Sequence, residues 1–458
     1  PYIWETKFNI LQYFINNPNA NKPNINIYHK NVFEFDFNKI SKECNSDDIL
    51  IIGNPPWVTN SKLSTLESSN LPPKSNFKKF NGFDAITGKG NFDIGEYISL
   101  EILNAFHNTK GHFIFLLKNS IIKNLIFEQK VNNYRISGLK KYLIDSKKEF
   151  NVSVEASIFF CKLNDTPEFF CDEYNFYEPS KLLNKFGWVQ QKFVSNISTY
   201  QDCEEIDGKS PFEWRQGVKH DLSTFMELEK LNGTFINGLR QKVNIEDDLI
   251  YGLLKSSDLK QDIIDRTRKF TLITQKKVGQ DTSYIQQKLP KTFEYLDNLK
   301  IEFESRKSTI YKGKPKFSIF GIGDYSFKPY KVAISGLYQK YQFNLILPHN
   351  GKPIMLDDTC YFLSFDDFEF AVYTYLLLNS DKTKKFLKTI TFSDSKRKFT
   401  KEILMRIDIL KLSTEFSILQ LNEKIDKFNY DFGLNIKLDK WNQYMEFMLK
   451  TRKFKDYN

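Results

Sequence analysis

Residues Ile49 to Ile52 form an apolar run that stops on Gly53-Asn54-Pro55-Pro56-Trp57. Three isoleucines and a leucine in sequence read as a short buried strand, and a glycine followed by two prolines cannot prolong it. The chain is thereby committed to a strand whose carboxyl end delivers one amide and one aromatic ring. In open α/β sheets that edge is where ligands sit.

The surroundings agree with an α/β layer. Tyr2 to Asn17 and Asn91 to His107 carry apolar residues at helical spacing. Ile25 to Tyr28, His112 to Leu117 and Val152 to Cys161 are strand candidates between them. This alternation predicts a layered α/β domain over residues 1–163, closed by the turn cluster Asn164-Asp165-Thr166-Pro167 as a linker. From 164 to 458 the alternation is lost. Aromatics and lysines interleave between Gly and Pro breaks, and helical spacing returns over Phe365 to Leu387 and Thr400 to Lys450. The second region is therefore expected to be mixed α+β with C-terminal helices.

Composition narrows the partner. The net charge of +10 favours a polyanion. With 43 Phe and 23 Tyr and abundant Lys, a single aromatic or lysine carries little weight. Five scattered Cys without a C-x-x-C pair suggest neither disulfides nor a metal site and fit a reducing cytoplasm. No apolar stretch of membrane-span length occurs. The chain begins at Pro1, which reads as a fragment of a longer protein.

The strand-end loop suits chemistry on an aromatic amine. The amino group of a nucleobase is a poor nucleophile because its lone pair is delocalised into the ring. Two acceptors aimed at its hydrogens stabilise the charge that develops when the nitrogen attacks a methyl sulfonium. The Asn54 side-chain oxygen and the Pro55 carbonyl can supply them, with Pro55 and Pro56 restricting the backbone in advance. Such an amine is inaccessible within a duplex, so the base must be flipped out, and Trp57 offers it a stacking face. The plainer reading is a proline-bearing turn beside a core tryptophan.

On these residues the chain resembles the N6-adenine DNA methyltransferases that depend on S-adenosylmethionine, of the Asn-Pro-Pro-aromatic type. The resemblance implies a Rossmann-like methyltransferase core, incomplete at its N-terminus, followed by a target-recognition region. It implies a catalytic role for Asn54, Pro55, Pro56 and Trp57. Phe150, opening the segment Phe150 to Ala156, would be a second residue stacking on the target base. Asn31, Val32 and Phe33 resemble the strand end beside the cofactor's adenine, and Asn54 and Asn91 would also meet the cofactor. The polar, turn-rich segment Val58 to Gly90 would be a flap over substrate. Double-stranded DNA is the implied partner, a cognate restriction endonuclease a candidate one, and no metal is called for.

The family's Gly-rich cofactor turn is not visible before Asn54, and the expectation is that it lies upstream of Pro1. Phe317 to Asp324 supplies Phe-Gly-x-Gly, but a cofactor turn must open into a helix, and Pro329 and a β-rich run follow instead. In the second region, Trp214 to Asp221 and Arg306 to Pro315 resemble target-recognition segments. Arg215, Lys219, Lys276, Lys277, Arg306, Lys312 and Lys314 are the candidate DNA contacts. Each cluster taken singly also reads as a solvated face. Two other readings stay open: a methyltransferase acting on RNA or on protein glutamine, and a DNA-specificity subunit without catalysis.

Overall fold

The computed structural model describes residues 2–44, 48–58, 93–338, 340–393 and 397–456. They form two compact units, Pro1–Phe193 and Val194–Asn458.

The first unit is built on one seven-stranded sheet. In chain order its helices are α1 (Tyr2–Asn16), α2 (Phe37–Glu43), α3 (Ile94–Phe106), α4 (Asn119–Asn132) and α5 (Ser146–Phe150). Its strands are β1 (Ile49–Gly53), β2 (Gly111–Lys118), β3 (Ile136–Ile144), β4 (Ala156–Leu163), β5 (Phe170–Asn175), β6 (Glu178–Val189) and β7 (Lys192–Val194). The spatial order is β1-β2-β4-β3-β5-β6-β7. β1 and β2 are parallel, with α3 between them in the chain, and β4 is an antiparallel strand between β2 and β3. β2 and β3 thus run the same way, and the strand ends beside the Asn54 loop form one edge of the sheet. In β2 one face buries Phe113, Phe115 and Leu117, as period-two alternation demands.

Several expectations shift. β1 is not buried: Leu50 is 58% and Ile52 70% exposed, because among the described residues β1 pairs only with β2. α1 forms as its spacing predicts, yet buries none of its side chains. Ile25 to Tyr28 finds no ladder partner among the described residues and remains irregular. The strand expected from Val152 starts at Ala156, since α5 and its left-handed cap Asn151 occupy the approach. The expected division at 163/164 falls inside the first unit, because β5 pairs with β3 and β6 with β5, carrying the unit on to Phe193.

The second unit contains two sheets and a helical end. The six-stranded sheet runs Lys242–Val243, Thr234–Ile236, Glu227–Leu231, Lys269–Leu272, Ile250–Leu254, Met355–Leu356 in spatial order. The five-stranded sheet runs Ile263–Ile264, Asn344–Ile346, Tyr330–Ser335, Cys360–Phe365, Arg215–Gln216. Helices from Phe368 to Asp456 follow. The spacing over Phe365 to Leu387 divides into two helices, Phe368–Leu378 and Asp381–Ile390, where Ser380 caps the second by accepting from the Thr383 amide. No helix among the described residues is long and apolar enough to cross a membrane.

Candidate functional site

The loop after β1 is held at both ends. Gly53 pairs with Phe115 across the β1–β2 ladder, and a Cβ at Gly53 would lie 2.5 Å from the Phe115 ring, so only glycine lets that ring cross. At the other end the Ile94 amide donates to the Val58 carbonyl at 2.9 Å. Asp93 caps α3 by accepting from Gly95, and its carboxylate also pairs with Lys118 at the end of β2. Gly95 in turn leaves room for Pro55, whose Cγ would stand 3.3 Å from a Cβ there. Pro55 is consequently buried while Asn54 and Pro56 stay exposed.

Phe150 comes to the same place by a different route. It is the last residue of α5, which Asp145 caps by accepting from the Lys147 and Lys148 amides, both at 3.1 Å. Asn151 closes the helix in the left-handed region at φ 52°, a conformation asparagine tolerates. The Ser146 hydroxyl accepts from the Ala156 amide at 3.1 Å, tying the helix to the start of β4. The Phe150 ring then stands 6.3 Å from Trp57, at 90° to it. Asn54, Pro55, Pro56, Trp57, Leu116 and Phe150 line one cavity of about 260 Å3. The Trp57 indole nitrogen is buried without an acceptor among the described residues.

Leu116 is the wall residue that motif reading missed. The alternation of β2 could have found it, since Phe113, Phe115 and Leu117 take the buried face and leave 116 on the other. Polar side chains join the end of β2 to the start of β4. Ser157 donates to the Asn119 side chain at 2.7 Å, and Asn119 donates to Glu155 at 3.3 Å.

The segment expected beside a cofactor adenine is not a strand end. Asn31 caps a single 3-10 turn, Val32–Glu34, by accepting from the Phe33 amide at 3.2 Å. The Phe33 ring packs edge-on against Tyr97 of α3 at 5.7 Å. Asn91 and the Val58 to Gly90 flap, apart from Val58 itself, lie outside the described residues. The Phe-Gly-x-Gly run near 320 leads into a 3-10 turn, Asp324–Ser326. Its Gly321, at φ 66°, packs against the Gly217 carbonyl. Among the described residues no cluster of His, Cys, Asp and Glu could hold a metal ion.

The basic residues of the second unit differ in how far they are committed. Arg306 donates to the carbonyls of Phe303 at 3.0 Å, Ser318 at 2.7 Å and His220 at 3.3 Å. Its guanidinium lies over Tyr311, 3.5 Å from the ring centre. Burial lowers its pKa. Arg215 pairs with Glu213 at 2.5 Å and stacks on Tyr325 at 4.7 Å. Lys276 and Lys277 direct their backbone amides to the Gln280 side chain and leave their own side chains exposed, Lys277 lying 3.5 Å from Asp324. Lys312 and Lys314 are exposed on the wall of a separate cavity of about 290 Å3. Lys219 faces Asp221 at 3.7 Å.

No family model matches the chain. It is 41% identical over 382 residues to type II methyltransferase M.NspV of Nostoc sp., an alignment covering 82% of this chain and 78% of that one. The chain therefore belongs to the type II methyltransferases. Its fold is similar to that of the type IIL restriction-modification enzyme MmeI, solved in complex with DNA. That likeness has a TM-score of 0.51 at 12% identity over 98% of this chain, which spans 63% of the MmeI chain. The architecture is the mixed α/β fold of restriction-modification methyltransferases.

Proposed function

We propose that the protein is a site-specific DNA methyltransferase that transfers a methyl group from S-adenosylmethionine to N6 of an adenine flipped out of duplex DNA, as the modifying partner of a restriction endonuclease. The observation that carries this reading is the meeting of Phe150 with Asn54 to Trp57 around one small cavity. Two rings at right angles offer a flipped base one face to stack on and one edge to fence it. The Asn54 side-chain oxygen and the Pro55 carbonyl accept from the exocyclic amine and stabilise the charge that develops on its nitrogen. The fixed ends of the loop hold its backbone, and with it the Pro55 carbonyl, before substrate arrives, so less reorganisation is left for the reaction itself. S-adenosylmethionine supplies the electrophilic methyl group when bound. The described residues suit only one flank of it, through the turn at Asn31 to Phe33 and through Asn54. A second unit with exposed lysines favours DNA over a protein glutamine as substrate.

The test is to incubate the protein with S-adenosylmethionine and duplex DNA and to analyse the digested nucleosides by mass spectrometry. N6-methyladenine at one sequence motif is expected. Methyl groups found only on cytosine, RNA or protein would overturn the reading.

A further inference from the structure

In the second unit two chain segments cross from one sheet to the other. Residues 217–226 lead from Arg215–Gln216 in the five-stranded sheet to Glu227–Leu231 in the six-stranded one. Asp357–Thr359 lead from Met355–Leu356 back to Cys360–Phe365. The crossing is tight. Val218 donates to Leu356 at 2.7 Å and Gly217 to Cys360 at 3.2 Å, and a Cβ at Gly217 would lie 2.2 Å from the Leu356 carbonyl. Beside it opens a cavity of about 820 Å3, whose walls include Lys219, Asp221, Lys255, Lys307, Asp357 and Asp358.

Its chemistry argues against a phosphate cradle. A DNA backbone is gripped by cations, and carboxylates interspersed among them would repel it. A base-pair edge is different: it presents amino donors and carbonyl or ring-nitrogen acceptors side by side, so its reader must carry both kinds of group.

The lip of the cavity is fixed to the standard such reading needs. Lys219 exchanges two backbone hydrogen bonds with Phe320, both at 2.8 Å. The Tyr311 hydroxyl donates to the Lys219 carbonyl at 3.3 Å, and Arg306 to the next carbonyl, His220, at 3.3 Å. Asp221 then turns through the left-handed region at φ 55°, a conformation that costs a non-glycine residue and recurs at functional sites. Behind the lip, the His220 Nδ1 accepts from the Leu222 amide at 3.1 Å, and Glu227 is held by Lys255 at 2.7 Å.

We infer that this cavity reads one G·C pair of the recognition sequence through the major groove, with Lys219 donating to guanine and Asp221 and Asp358 accepting from the cytosine amino group. Lysine to guanine O6 and N7, and aspartate to cytosine N4, are the pairings those groups favour. The inference rests on the DNA methyltransferase reading and extends it to how the site is chosen.

The full chain is tested by selection from randomised duplexes, followed by sequencing of the bound pool. Wild type should enrich a motif containing a G·C pair. Asp221→Asn keeps the left-handed backbone, because asparagine tolerates it, and Asp358→Asn provides a second variant on another segment of the cavity wall. Each should lose about tenfold in preference at that one pair. Preferences at other positions should stay within about twofold of wild type, as expected of a group that reads one base pair. Lys276→Ala, outside the cavity, should alter no base preference. Two variants that keep every wild-type preference, or a wild-type motif without G·C, would overturn the inference and leave the methyltransferase reading standing. A wild-type chain that binds no duplex would overturn both.

Discussion

The candidate site of the first unit is one loop of consecutive residues joined by a helix end and a single strand residue, Leu116, whereas that of the second unit is assembled from several segments far apart in the chain. The difference extends to their polar groups. Around Asn54 the side chains are left open: Asn54 and Pro56 are exposed, and the Trp57 indole nitrogen has no acceptor among the described residues. In the second unit many charges are spent on the protein itself, as with Arg306 on three carbonyls and Glu227 between Lys255 and Lys269 at 2.7 and 3.4 Å. In the reading proposed above, the acceptor that meets the reacting amine has no internal partner among the described residues, while a group that holds a loop in register, such as Arg306, is saturated by them. Residue type alone does not separate the two roles.

The strongest way to break that contrast is Asn54→Ala. Among the described residues the truncation removes a free acceptor and no internal hydrogen bond, so methyl transfer should fall by about 100-fold or more. DNA affinity and the melting temperature should stay at wild-type values. A variant that loses stability in step with activity would place Asn54 in the scaffold instead of the chemistry.

Arg306→Ala should behave in the opposite way. It strands three carbonyls and removes the cation over Tyr311, so denaturant unfolding should report a loss of about 2–3 kcal/mol. The salt dependence of DNA binding should be unchanged. If the salt dependence falls and stability holds, Arg306 is a phosphate contact and not a group that holds the fold.

Lys331 sharpens the contrast through pH. Its side chain is fully buried and donates to a single carbonyl, that of Lys328, at 2.8 Å. Burial lowers its pKa from 10.5 to about 7. Between those two values the unfolded chain holds a proton that the folded chain gives up. Stability from this group therefore rises with pH across that window, by at most about 1.4 kcal/mol per unit, and is level below it, where both states are protonated. Lys331→Met should remove the slope and raise the melting temperature near neutral pH. Melting curves measured from pH 6 to 10 decide it, and parallel profiles for the two proteins would show that Lys331 is not the group responsible.

What could be read in the sequence follows from the same distinction. The strand into Asn54-Pro55-Pro56-Trp57 was legible because local rules govern it: an apolar run, a glycine and two prolines. Phe150 was singled out only through a resemblance, and it sits on a helix end. The caps at Asp145 and Asn151 were present in the sequence but unread. The exposure of Leu50 and Ile52 was not legible, since an apolar run looks the same on an edge strand and an inner one. Nor could the lysines and arginines be sorted. Whether Arg306 faces solvent or three carbonyls depends on Phe303, Ser318 and His220 meeting in space, and that is a property of the crossing segments.

The smallest effect concerns the charges that remain uncommitted. Lys276 is exposed, and its backbone amide, not its ammonium, makes the contact to Gln280. If it neutralises one phosphate, Lys276→Ala should reduce the slope of log affinity against log salt by about 0.9, the counterion equivalent of a single contact. The loss should be uniform across DNA sequences, because a phosphate contact carries no base information. Neither stability nor the methylated motif should move, since the side chain holds no element in place. Lys277 is the internal control. Its ammonium lies 3.5 Å from Asp324 at the exposed surface, so part of its charge is already compensated and its truncation should change the slope less than that of Lys276. Equal slopes for both variants, measured by fluorescence anisotropy between about 50 and 200 mM salt, would mean that a surface ion pair does not withdraw a lysine from the phosphate track. The division between free and committed charge would then hold only for the half-buried groups.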